Sequence, residues 1–175
     1  MTEKAEDKDL LQPVTGETKE AACQVILGTT HASLATISAK NGVPACSRIG
    51  LALDSTGMPV FLTSSLSSHS AALEADPRAS MLIGEVGNGD PLAHARISIS
   101  GTVEKVTEAS DRDQVRAAYL ARHPKAKLYV DFADFGFWRL RPEYAGYVEG
   151  FGRAYALTQE DLADMALQMA TETAA

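Results

Sequence analysis

Cysteine, aromatic residues and positive charge are all scarce in this chain. Two cysteines, Cys23 and Cys46, occur in 175 residues, far from the density of a disulfide scaffold and without the close pairing of a metal-ligand motif. Lysine and arginine number 16 against 23 acidic residues, a net charge of −7. A nucleic-acid partner requires a basic footprint, so none is expected. No apolar run approaches the ~18 residues that would cross a bilayer, so no membrane partner is expected either. The opening residues, Met-Thr-Glu-Lys-Ala-Glu-Asp-Lys, carry acidic charge and no apolar stretch, unlike a secretory signal, and a cytoplasmic location is expected. No internal repeat and no linker divides the chain. With 45% hydrophobic residues it has material for one sizeable core, predicted over 17–175 behind a loose polar arm at 1–16.

What is present centres on the stretch from Phe61 to Pro77, Phe-Leu-Thr-Ser-Ser-Leu-Ser-Ser-His-Ser-Ala-Ala-Leu-Glu-Ala-Asp-Pro. It opens as an apolar strand, turns through hydroxyls and closes as a short helix that Pro77 stops. The unpaired N–H groups of a helix's first turn attract an anion. Ser64, Ser65, Ser67, Ser68 and Ser70, with His69, add side-chain donors there. The plainer role of Ser67 or Ser68 is to cap the helix.

Around that stretch, Glu17 to Leu27 reads as a helix ended by Gly28, and His31 to Ser38 as a strand. Asn41-Gly42 is a strong hairpin signal, returning as a strand from Pro44 to Leu53. That strand puts Ser47, Ile49, Leu51 and Leu53 on one face and Cys46, Arg48, Gly50 and Ala52 on the other. The turn 54–57 feeds a strand over 58–64. Ala79 to Val86 is mostly apolar, predicting a strand buried on both faces, and Ala95 to Val106 is a long strand. Ser110 with Asp113 opens a helix that closes before His123-Pro124. Two further strands are predicted, Phe135 to Leu140 and Tyr144 to Glu149, then a helix capped by Thr158. Six or seven strands joined by hairpins make an antiparallel sheet, best closed as a β-barrel with flanking helices, an α+β fold.

Several motifs then coincide: His31-Ala-Ser-Leu-Ala-Thr36, Ser64-Ser-Leu-Ser-Ser-His69 with Asp76-Pro77-Arg78, Gly89-Asp-Pro-Leu92 before Arg96, His123-Pro124, and Gly150-Phe-Gly-Arg-Ala154. In this order the chain resembles the pyridoxamine 5'-phosphate oxidase-related proteins, which fold as FMN-binding split barrels. The resemblance is closest to the subset that includes the haem-utilisation proteins. It implies a homodimer holding FMN at the subunit interface. Arg48, Ile49 and Gly50 would then lie along the flavin, Leu62 and Thr63 would meet its ring, and Ser67, Ser68 and His69 its phosphate. Arg96 would reach it from a neighbouring strand.

Two departures bear on function. The oxidases carry basic residues at the positions of Leu53, Ser68 and His69, and their substrate motif is not matched by Tyr119-Leu-Ala-Arg-His-Pro-Lys-Ala126. The resemblance therefore implies an FMN-dependent oxidoreductase with a different, unknown substrate. The alternative is a haem-binding or haem-degrading protein of the haem-utilisation type. His31, His94 and His123 share no ligand spacing, so no metal site is expected. The C-terminal helix has neither His nor Cys, so specific haem binding is expected to be weak. No acid–base pair stands out as catalytic machinery.

Overall fold

The computed structural model describes residues 11–174; the predicted arm lies outside it up to residue 10. Helix α1 (Gly16–Gly28) begins at a reciprocal cap. The Thr18 N–H donates to the Thr15 hydroxyl at 3.2 Å, and the Thr15 N–H to the Thr18 hydroxyl at 3.3 Å, which satisfies two of the donors a helix leaves open. Then follow β1 (His31–Ile37), β2 (Pro44–Gly50), β3 (Ala52–Leu53), β4 (Pro59–Ser64), α2 (Ser68–Ala75), β5 (Arg78–Ile83) and β6 (Arg96–Lys105). The chain closes with α3 (Ala109–Arg122), β7 (Phe135–Gly150), β8 (Arg153–Leu157) and α4 (Gln159–Ala174).

All strands pair antiparallel in one curled sheet, in the order β2-β1-β5-β6-β7-β4-β3 with β8 on β7. The strand expected over 44–53 is broken at Leu51, whose N–H turns aside to the Thr30 carbonyl at 2.9 Å. Beyond that break the chain changes partner from β1 to β4. The ends of the sheet are thereby brought round to each other. β2 and β4 run side by side without pairing, and this unpaired seam is the split in an antiparallel split barrel.

Three other expectations change. The two strands predicted over 135–149 are one, because β7 bulges at Glu143, the extra residue between the pairs Tyr144–Ser100 and Pro142–Gly101. A proline offers no ladder donor, and the bulge absorbs the gap; Gly101 is needed there, since a Cβ would sit 2.0 Å from the Arg141 carbonyl oxygen. Strand β8 had no periodic signal to announce it. β5 is buried on one face only, with Leu82 48% exposed, because no helix among the described residues covers the outer side of β1, β5 and β6.

Inside the barrel Phe61, Met81, Ile83, Ile97, Ile99, Leu140 and Tyr147 form the core, closed by Ala22 and Ile26 of α1 and Leu162, Met165 and Met169 of α4. Burying side chains of this size contributes about 1.5–3 kcal/mol each. A second cluster joins Val60, Leu62 and Phe137 to Val115 and Tyr119 of α3, on the outer face of β4 and β7. Arg139 ties the first turn of α3 down: it donates to Asp54 at 2.5 Å and, as a fork, to Asp111 at 2.7 and 2.9 Å. At the other end of α3, Arg122 donates to the carbonyls of Leu27 and Thr29, capping the end of α1.

Candidate functional site

The seam is built from two strands whose side chains alternate. On β2, Arg48 and Gly50 face outward, while Ile49 is 5% exposed and belongs to the barrel core. On β4, Leu62 faces α3 in the second cluster. Thr63 is buried, accepting from the Trp138 indole N–H at 2.9 Å, and its hydroxyl lies 2.7 Å from the Ser70 hydroxyl oxygen, to which it donates. The two strands do meet, yet only Arg48 and Gly50 are on the outward face. The side chains of Ile49, Leu62 and Thr63 are engaged in packing, which leaves their backbones alone to line the seam. Arg48 is exposed and has no partner among the described residues.

The serine-rich turn is a cap network. Ser67 accepts from the Ser70 N–H at 3.3 Å and donates to the Ser64 carbonyl at 2.8 Å, and Ser70 donates to the same carbonyl at 2.7 Å. Ser64 donates to the Asp134 carboxylate at 2.5 Å, and the Ser65 N–H to the Asp134 carbonyl at 2.7 Å. A carboxylate thus already stands at the turn predicted to receive an anion. Ser68 is exposed and His69 half-buried; burial lowers the His69 pKa and keeps its ring neutral.

Arg96 stands apart. β1 and β5 separate its strand from β2, and its guanidinium donates to the carbonyls of Leu92 and His94, both at 3.1 Å. Within one chain it does not join the seam. A cleft of about 400 Å³ between α3 and α4 contains none of the predicted residues, and its one cation, Arg122, is held by the end of α1. The sequence reading passed over Tyr119 and set His123 apart, but both lie over Gly50. Their four-residue spacing put them on one helix face, and that was the available signal.

A family model described as CREG, beta-barrel matches residues 14–163, most of the chain. The chain belongs to the CREG β-barrel family. This family member is 39% identical over 132 residues to the non-canonical heme oxygenase HOZ, chloroplastic, of Arabidopsis thaliana, a match taking in 75% of this chain and 40% of that protein. It superposes on the structure of a heme binding protein from Mycobacterium smegmatis with a TM-score of 0.78 and 33% identity, over 87% of this chain and 62% of that one. The CREG-barrel chain therefore spans less than two thirds of the length of either. A third structure, a protein related to general stress protein 26 (pyridoxinephosphate oxidase family) from Clostridium acetobutylicum, has a TM-score of 0.67 over 85% of this chain and 99% of that one. At 11% identity it shows the split-barrel fold alone.

FMN, the cofactor expected from the resemblance, is overturned. Two relatives above 30% identity, one matched by sequence and one by structure, are named for haem and neither for a flavin. The turn agrees with this correction, since Asp134 would repel the phosphate that Ser67, Ser68 and His69 were expected to hold. No helix among the described residues is long and apolar enough to cross a membrane.

Proposed function

We propose that this CREG-barrel chain binds haem. The observation that carries the reading is the agreement of two relatives, one matched by sequence and one by structure, that are both named for haem. A second reading, oxidative degradation of the bound haem, rests on the name of the Arabidopsis protein.

The donor set is compatible with haem, whose iron takes a neutral imidazole. Three of the four histidines have a ring nitrogen engaged. Nδ1 of His31 lies 3.3 Å from Glu85, Nε2 of His94 lies 3.1 Å from the Asn88 carbonyl oxygen, and Nε2 of His123 lies 2.9 Å from that of Leu51. Each of these keeps its second ring nitrogen open; the ring of His69 has no partner among the described residues and is kept neutral by burial, and in this reading it is the iron ligand. Arg48 offers an unpaired guanidinium to a propionate. The weak haem binding expected earlier rested on the C-terminal helix; α4 does lack His and Cys, and the donors in this reading come from the barrel instead. A second copy laid on the open sheet face would make a homodimer and supply the apolar wall that one exposed seam lacks.

Titration of the purified protein with haem checks the reading. Saturable binding with a shifted Soret band is expected, lost in His69→Ala and kept in His94→Ala. A wild type whose spectrum stays that of free haem refutes it. Added reductant and oxygen then separate the two readings: decay of the Soret band to a bilin-type product means degradation, and a lasting Soret band means binding alone.

A further inference from the structure

A cluster the sequence did not join meets at Gly50. On β2 this glycine faces outward beside Arg48, two residues away on the same face. A Cβ built on Gly50 would lie 2.4 Å from the Tyr119 hydroxyl oxygen, and 3.3 and 3.4 Å from ring atoms of His123. Only a glycine allows the phenol to come down onto the strand here. The ring of Tyr119 is fixed on both sides, by His123 at 4.5 Å between centroids and by the edge of Phe137 at 5.5 Å. His123 is itself anchored through Nε2 to the Leu51 carbonyl.

Tyr119 is 3% exposed, yet its hydroxyl has no hydrogen-bond partner among the described residues. No fully buried side-chain nitrogen or oxygen among those residues is left unpaired, so this oxygen opens to the surface at Gly50. A phenyl ring would pack against Phe137 and His123 equally well. What the phenol adds is one donor aimed outward, and burial pushes its pKa up so that it remains a donor through neutral pH. The Arg48 side chain, rooted about 6–7 Å along the strand at ~3.3 Å per residue, is long enough to turn its planar fork to the same spot. A hydroxyl donor beside a free guanidinium suits a carboxylate.

We propose that Tyr119 and Arg48 form a carboxylate-binding subsite over Gly50, with His123 as the residue that positions the phenol, and that the propionates of haem occupy it. The proposal rests on the haem reading and extends it to a recognition element. The test compares haem with its iron-containing dimethyl ester, which keeps the macrocycle and the metal and lacks both carboxylates. Wild type is expected to bind haem more tightly than the ester. Tyr119→Phe and Arg48→Ala are each expected to weaken haem binding roughly tenfold or more, the scale of one hydrogen bond to a charged group, and to leave ester binding within about twofold. Tyr129→Phe, which removes a hydroxyl elsewhere, should change neither, and circular dichroism checks that each variant is folded. A Tyr119→Phe variant that binds haem as tightly as wild type, or one that loses haem and ester equally, overturns the subsite while the haem reading stands. A wild type that binds neither porphyrin overturns both.

Discussion

Cys23 and Cys46 share a chemistry and differ in everything around it. Cys23 is fully buried between α1 and α4, donating weakly to the Met165 carbonyl at 3.7 Å. Burial pushes its thiol up to about 11, so little reactive thiolate forms at neutral pH. Cys46 is exposed on the outer face of β2. A thiol-specific chromogenic reagent at pH 8 is therefore expected to titrate one thiol in the native protein and two after unfolding. Two fast native thiols would show that the packing of α4 on α1 opens. The same contrast of surroundings runs through the histidines, where His69 alone has a ring without a partner among the described residues and the other three are engaged.

Among the elements, the first turn of α3 is held by one cation. Arg139, 8% exposed, holds Asp54, 3% exposed, and Asp111 of the first helical turn. Replacing it with methionine keeps much of the volume and strands a buried carboxylate, which typically costs 3–5 kcal/mol when one partner of a buried pair is removed. A shift in the urea midpoint worth less than about 1 kcal/mol would mean that the network behaves as a surface one. The pH dependence follows in sign. Asp111 is held below the ordinary carboxylate value chiefly by its hydrogen bond from Arg139, and Glu104 chiefly by that from Arg141. Groups depressed on folding contribute stability that is full above the unfolded value, ~4 for carboxylates, and lost as pH falls through the folded values. Thermal unfolding should accordingly drop below pH ~4, and Arg139→Met should show a shallower acid slope. An unchanged slope would remove Asp111 from the account.

At the scale of the whole molecule, the outer sheet face is the feature that one chain leaves unfinished. Ser33, Leu82, Ser98 and Gly146 stand in register across β1, β5, β6 and β7. Leu82 is thus an exposed leucine ringed by small residues, a flat patch that a second copy of the chain would cover. Under the proposed homodimer, light scattering at micromolar concentration should give twice the 18.6 kDa of one chain, and Leu82→Glu should return that single mass. The same variant should weaken haem binding if the ligand site is completed across the interface. A wild type that scatters as a monomer would remove the dimer from the proposal.

Local physics decided much of this protein from sequence alone. The hairpin at Asn41-Gly42, the caps at Thr158 and Ser67 and the alternation of Arg48 and Gly50 against Ile49 and Leu51 depend on neighbours within a few residues, and all are visible in the chain's order. So was the split barrel, through motifs that repeat a fold. Tertiary structure alone decided what is far apart in sequence. The break at Leu51 answers to Thr30, and the continuity of β7 through Pro142 answers to a bulge at Glu143 set against Gly101 of β6. Asp134 reaches a turn some 70 residues earlier, converting an apparent anion pocket into a satisfied cap. Tyr119 and His123 come to rest over Gly50 because α3 packs across the seam, and no periodicity of β2 encodes what lies above it.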